Sequence, residues 1–515
     1  MQRLKTLITT DIMAGIIILI SGLIRLIQYG FNRSLWGDEA SLAVNLVNRS
    51  YGELLRPLDY NQGAPIGFLW VEKLATQLFG NNEYSLRLFP LLGGLAMLLL
   101  MYVAVRRYTK GPAVLVALVL VGFLPSFIYF STEVKQYSTD AALTLGCLLL
   151  AQQTETKCSS GRQSVVLALL GSVAVWFSHT AVFALAGAAV GSLLKTWWVQ
   201  KGFRFSSALI KRLLVYLSWL VSFGLFYLIS LQDLGANQLL KSSWQGRGAF
   251  PNPDDNWIET FVWLLDRLGR SFYSPLGFAS PWDGVAIAFF LIGCFSLYRR
   301  RELWVVLSPI LFALFAACIG KYPFSGRLIF FLMPLLIVGI ALGVDQLIKT
   351  RNVYVRFISI SLAALLIFQP LQKSLPQLYT PHLREEIRPV IEYIQTHWQE
   401  NDKLYIYQRG NLQFLFYTDR YGYRPDDYIL GIGHLDNYDG RGVSAQERER
   451  YLRDLDQLRG NPRVWVLFSH ASIDEENDLV LGYLNCLGKL SDSYQDIGAF
   501  VNLYDLSEEN RQCLI

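Results

Sequence analysis

The sequence predicts a polytopic α-helical membrane protein, of about 11 transmembrane helices, with a small C-terminal α/β domain outside the membrane. Three observations predict it. First, 52% of the 515 residues are hydrophobic and only 17% are charged, against roughly 25% charged in soluble domains. Second, the apolar residues fall in long runs such as Ile16–Ile20, Leu91–Val105 and Leu328–Leu342. A soluble core cannot absorb so many uninterrupted stretches. Third, the composition turns polar after residue 371. A soluble enzyme, a disordered chain, a collagen and a small disulfide scaffold are thereby excluded. The six cysteines form no CxxC, so no zinc ribbon or redox motif is present.

A spanning helix needs about 20 mostly apolar residues. Candidate spans lie near 11–29, 88–105, 112–130, 139–153, 164–178, 180–194, 212–231, 284–298, 303–319, 328–346 and 355–371. The fifth and sixth are short, roughly 22 Å each, and could merge into one tilted helix around His179. Lysine and arginine accumulate in short cytoplasmic loops, and this decides the matter. With separate spans, one side receives Arg3, Lys5, Arg106, Arg107, Lys110, Lys157, Arg162, Lys195, Lys201, Arg204, Lys211, Arg212, Arg299–Arg301, Lys349, Arg351 and Arg356. The short turns of the other side hold only Lys135, Lys321 and Arg327. Merging would split the basic loops between the two faces. The N-terminus is therefore expected in the cytoplasm, with 30–87, 232–283 and 372–515 outside. The first span lacks a small-residue cleavage site and is read as an anchor rather than a removed leader.

Residues 1–371 form the expected membrane domain, with outer loops 30–87 and 232–283, and 372–515 the expected extracytoplasmic domain. Within loop 232–283, Trp257, Phe261, Leu264 and Leu268 fall at helical spacing, which predicts a helix along the interface. Within the last domain, Glu385–Trp398 and Asp474–Leu487 read as helices. Lys403–Gln408, Arg463–Ser469 and Ala499–Leu506 read as strands, the second apolar enough to be central. Cys486 and Cys513 lie there, and both a disulfide and two thiols are open to them.

The polar signals lie at the outer ends of the spans. Leu35-Trp36-Gly37-Asp38-Glu39-Ala40 places two carboxylates directly after the first span. The plain reading is that they complement the dipole of a helix over 40–48. Pro65 in Gly63-Ala64-Pro65 could start a helix, and Arg87 is expected to snorkel to the interface. The turn from Ser131 to Asp140 carries Glu133, Lys135, Gln136, Tyr137 and Asp140, more than a turn requires, and ionisable groups at such depth are functional candidates. His179 sits in the tight turn between the short spans. Lys321, Tyr322 and Arg327 place cations where few are expected, which points to an anionic partner such as a phosphate. Carboxylates and cations on one membrane face suit a reaction at a membrane-borne phosphate ester. One carboxylate would be general base to a hydroxyl, and the cations would hold the leaving phosphate.

This ordered set resembles the GT-C superfamily of polytopic glycosyltransferases. It is most similar to the branch of protein O-mannosyltransferases and bacterial aminoarabinose transferases that use polyprenyl-phosphate sugars. The resemblance rests on Trp36-Gly37-Asp38-Glu39-Ala40, on Gly63-Ala64-Pro65-Ile66-Gly67-Phe68-Leu69 followed by Leu78-Phe79-Gly80, and on Glu83-Tyr84-Ser85-Leu86-Arg87-Leu88. It is good over about 30–180 and holds elsewhere mainly as topology. The family's His-Pro element is replaced here by Gly-Ala-Pro. The resemblance implies an inverting glycosyltransferase of the cell envelope, acting in a bacterial-type plasma membrane. The donor would be a polyprenyl-phosphate sugar, and the acceptor an undetermined glycan, lipid or protein. No nucleotide-sugar site is expected, since no Rossmann glycine fingerprint occurs. It implies Asp38 as general base, Glu39 in support, and Glu133 as a second acid that orients the acceptor or binds a metal. Lys321 and Arg327 match the lipid-phosphate position, with Tyr322, Lys135, Tyr137 and Arg87 as further donor-binding candidates. Relatives differ in metal dependence, so a divalent ion held by Glu133 with His179 stays open. The competing classes are a lipid-linked sugar flippase or transporter, which would need polar groups near the midplane, and a non-catalytic scaffold displaying the outer domain.

Overall fold

A computed structural model describes residues 2–158, 160–202, 206–433, 443–471 and 474–507; Arg204 and Cys513 lie outside them. The chain divides into two compact units. The first comprises Met1–Phe31, Tyr51–Pro57 and Gly63–Thr380; the second comprises Asn32–Ser50, Leu58–Gln62 and Pro381–Ile515.

The first unit is helical throughout. Seven described helices are long and apolar enough to cross a membrane: Thr9–Gly30, Glu83–Tyr108, Ala181–Gln200, Ser207–Ala236, Trp282–Arg299, Gly326–Ile348 and Val353–Leu378. Ala113–Phe123 and Pro125–Thr132, bent by 58°, make an eighth if counted as one span. This is a multi-pass membrane protein, though the 11 expected spans are not all met by this measure. Gly161–Phe177 and Leu303–Cys318 have 17 and 16 residues, roughly 25 Å each, which is short of the hydrocarbon core. Tyr137–Lys157 has the length, 21 residues, but carries Asp140 in its first turn and Lys157 in its last. The helices on either side of His179 are separate, Gly161–Phe177 and Ala181–Gln200.

The bent pair shows how a broken helix is tolerated in this unit. Pro125 has no N–H, so the carbonyl four residues back, on Val121, loses its helical donor. Arg25, fully buried in the first helix, supplies one: its Nη2 donates to Val121 O at 2.8 Å. Its Nη1 donates to Gly122 O at 3.0 Å, and its Nε to Ser131 Oγ at 3.1 Å. Freed carbonyls away from water must find partners in the protein, and one arginine serves both while tying down the start of the 131–140 turn.

Elsewhere the helices approach through small residues. A Cβ on Gly293 would lie 1.9 Å from Gly339 O, and one on Gly343 would lie 1.8 Å from Phe289 O. Several cations from the basic loops are ion-paired: Arg106 with Asp11 at 2.8 Å, and Lys349 with Asp345 at 2.6 Å. The helix predicted from Trp257 onward forms as Trp257–Tyr273. Trp257 and Phe261 are exposed, while Leu264 and Leu268 pack on the apolar core. That is the division of an interfacial helix.

The second unit is built on a five-stranded sheet. Its strands are β1 (Lys403–Ile406), β2 (Ile429–Leu430), β3 (Val464–Ser469), β4 (Lys489–Asp496) and β5 (Ala499–Asp505), in the order β2-β1-β3-β5-β4. β1 runs parallel to β2 and β3, while β5 pairs antiparallel with β3 and β4. Every residue of β3 is buried, as its apolar run requires of a central strand. Helices Ile387–His397, Asn411–Tyr421, Ala445–Asp456 and Asp474–Leu487 accompany the sheet. β2 and β4 escaped the sequence reading because one has two residues and the other, Lys-Leu-Ser-Asp-Ser-Tyr-Gln-Asp, is a polar edge strand. Cys486 is in a disulfide.

Candidate functional site

The first acidic turn belongs to the second unit. Residues Gly37–Asn48 form a helix with Asp38 and Glu39 in its first turn, where carboxylates complement the helix dipole. Glu39 is fully buried and its Oε2 accepts the N–H of Trp36 at 3.4 Å. Asp38 is half-buried. The segment leading into this helix is held by side chains from the sheet domain. Glu386 accepts from the Ser34 N–H at 3.1 Å and from its hydroxyl at 2.8 Å. The Leu35 N–H donates to Tyr417 Oη at 2.8 Å, and Gln413 Nε2 donates to Leu35 O at 3.0 Å. The Gly37 N–H donates to Glu385 Oε2 at 2.8 Å. The guanidinium of Arg384 lies 4.3 Å over the Trp36 ring.

The second acidic turn belongs to the first unit. Helix Pro125–Tyr129 tightens into a 3-10 turn at Phe130–Thr132, and the chain re-enters a helix at Tyr137. Glu133 is fully buried, and Tyr129 Oη donates to its Oε1 at 3.4 Å. The Lys135 N–H donates to Glu133 O at 2.7 Å. Lys135, Gln136, Tyr137 and Asp140 are all buried. The Arg327 guanidinium lies 5.8 Å over the Tyr137 ring, a cation–π contact. Tyr322 donates to Leu328 O at 2.7 Å. Glu133, Lys135, Tyr137, Tyr322 and Arg327 thus share one unit, while Asp38 and Glu39 belong to the other. Lys321 is exposed.

One residue differs from expectation. Arg87 does not snorkel: it is 2% exposed, one turn inside helix Glu83–Tyr108. His179 packs its ring 5.6 Å from Phe226. No group of three or more His, Cys, Asp or Glu side chains that could hold a metal ion occurs among the described residues. No step below is routed through a metal ion.

Sequence reasoning missed Glu72. It lies on helix Ile66–Phe79, fully buried, and neither carboxylate oxygen has a hydrogen-bond partner among the described residues. Burial pushes its carboxyl well above the ordinary 4.5. The signal was present: Glu72 stands four residues after Phe68 and three before Ala75, on the apolar face of the helix. Glu385, Gln413 and His470 were missed as well, since nothing local links them to residues 34–37.

The fold and turns define a class: a multi-pass helical membrane protein that carries a small mixed-sheet domain. More particularly, residues 63–223 match the family described as dolichyl-phosphate-mannose-protein mannosyltransferase. Over the whole length the chain is similar in structure to ArnT from Cupriavidus metallidurans bound to undecaprenyl phosphate. The two share 14% identity and a TM-score of 0.53, over 96% of this chain and 97% of that one. The apo state of ArnT matches with a TM-score of 0.51 at 14% identity, over 95% and 98%. The apo oligosaccharyltransferase of Archaeoglobus fulgidus matches with a TM-score of 0.52 at 12% identity, over 95% and 74%. No curated protein matches the chain.

Proposed function

We propose that the protein transfers a sugar from a polyprenyl-phosphate donor to an acceptor hydroxyl on the extracytoplasmic face of a bacterial-type plasma membrane, with inversion. The N-terminus is then cytoplasmic, and the sheet domain lies outside. The observation that carries the reading is the buried turn of Glu133, Lys135 and Tyr137, with Arg327 over the Tyr137 ring. It lies in a fold similar to that of a protein solved with undecaprenyl phosphate bound, and the turn falls within the stretch matched by the mannosyltransferase family.

The chemistry assigns roles. The acceptor oxygen attacks the anomeric carbon, a new C–O bond forms, and the bond from that carbon to the phosphate oxygen breaks. Its electron pair leaves with the phosphate. A singly charged diester becomes a doubly charged lipid phosphate, so charge grows on the leaving group. Arg327 and Lys321, with Lys135 and Arg87, stabilise that growth, and Tyr322 and Tyr137 shape the donor end. Asp38 takes the acceptor proton as general base, Glu39 caps the helix that presents it, and Glu133 orients the acceptor.

The test is an Asp38→Asn variant in membranes supplied with undecaprenyl-phosphate-linked sugar. Loss of a general base lowers transfer by about 100-fold or more. A wild-type rate would sink the base assignment.

A further inference from the structure

We propose that Glu385, buttressed by His470, is a positioning residue that holds the helix start carrying Asp38 in reactive geometry. The inference rests on the reading of Asp38 as base and deepens it. One carboxylate gathers three donors. Glu385 Oε2 accepts the Gly37 N–H and the Gln413 amide, each at 2.8 Å, and its Oε1 faces His470 Nδ1 at 2.6 Å. The Gly37 N–H is the first of the helix and has no acceptor of its own within it. Trp36, the residue before it, has no side-chain acceptor to offer as a cap. A carboxylate from 348 residues away in sequence does the capping instead, directly before Asp38.

The imidazole is part of the same fitting. His470 closes β3 with φ of 56°, in the left-handed region that non-glycine residues rarely occupy, and such conformations persist where the surroundings impose them. Its ring lies against Gly37, where a Cβ would stand 3.2 Å from Cγ and Nδ1. A side chain at Gly37 would therefore press on the imidazole by a few tenths of an ångström. Glu385 is in turn fixed from behind by the β4–β5 turn. The Glu386 N–H donates to Ile497 O at 2.7 Å, and a Cβ on Gly498 would lie 2.2 Å from Arg384 O. Hairpin, carboxylate, imidazole and helix start form one connected support. A displacement of about 1 Å of a catalytic group can cost about 100-fold in rate, so the support acts on turnover rather than on donor affinity.

The experiment compares full-length wild type with Glu385→Ala, Glu385→Gln and Gly37→Ala. Amide hydrogen exchange over 36–40, binding of sugar-free undecaprenyl phosphate, and sugar transfer from undecaprenyl-phosphate mannose and aminoarabinose are measured. Glu385→Ala should speed exchange and lower turnover by at least about tenfold while leaving undecaprenyl phosphate affinity within about twofold. Gly37→Ala should do the same from the other side. Glu385→Gln keeps an oxygen for the Gly37 N–H, so it should recover most of the turnover. Unchanged exchange in Glu385→Ala overturns the proposal. So does a lowered melting temperature with unchanged turnover per folded molecule. The base reading fails by a different sign, wild-type turnover in Asp38→Asn, whereas the support is judged on exchange.

Discussion

The two acidic turns are built by different means. Residues 34–37 are fixed by hydrogen bonds from Glu385, Glu386, Gln413 and Tyr417, all more than 340 residues away in the chain. The turn at 131–140 is fixed by hydrogen bonds reaching less far along the chain, Gln136 to Gly63 O at 3.3 Å, Ser138 to Pro90 O at 2.7 Å and Arg25 to Ser131 at 3.1 Å, together with burial. On one face of the helix that follows, Gln136, Asp140 and Thr144 stand four residues apart, and each has a side-chain oxygen without a hydrogen-bond partner among the described residues. The difference teaches that the sheet domain specifies geometry by directed polar contacts. The membrane unit adds close helix packing to polar contacts nearer in the chain, and both units leave some buried side-chain atoms without a hydrogen-bond partner among the described residues.

Arg25 tests that contrast most severely, because it imports directed hydrogen bonds into the packed unit. Replacing Arg25 with Met should strip the donors from Val121 O and Gly122 O and destabilise the membrane unit by about 3 kcal/mol, read as thermal unfolding in detergent. A loss under about 1 kcal/mol would mean that packing alone holds the bend, and the contrast would sharpen.

Thr144→Val is the next largest and has the opposite sign. The hydroxyl makes no hydrogen bond among the described residues, so an isosteric methyl should be neutral or stabilise by about 1 kcal/mol. A clear destabilisation would show that the hydroxyl has a partner, and the contrast between the turns would weaken.

Glu72→Gln has the smallest effect and shows in pH dependence. The carboxyl is raised above its ordinary 4.5 by burial, so between that value and its native one the folded protein binds more protons than the unfolded. Its contribution is full below 4.5 and is lost as pH rises through that window. Glu72→Gln should flatten the fall of melting temperature with rising pH. The same slope in both proteins would show that Glu72 is not held neutral.

The fold was legible where chemistry is local. The long apolar runs announced helices, and the run Val464–Ser469 announced a central strand. The separation of the two helices around His179 could be inferred from loop charge. The acidic pair at 38–39 stood out because carboxylates beside a span are costly. Four things were not legible. The bend at Pro125 needed Arg25, 100 residues earlier. The burial of Arg87 contradicted a rule that assumes a helix end faces the interface. Glu72 was hidden in a helix otherwise read only as a connection. The brace on Gly37 joins residues whose proximity exists only in the folded sheet domain.

That brace also has a consequence for the ribosome. Trp36-Gly37-Asp38 is made well before Glu385, His470 and the Ile497–Gly498 turn behind them, the first separation being 348 residues. At about 5–20 residues per second, the helix start waits on the order of tens of seconds for its support. Membrane insertion of the helices made in that interval can proceed without a finished acidic turn. The β4–β5 hairpin, synthesised long after residues 36–38, is thus the part that completes their turn.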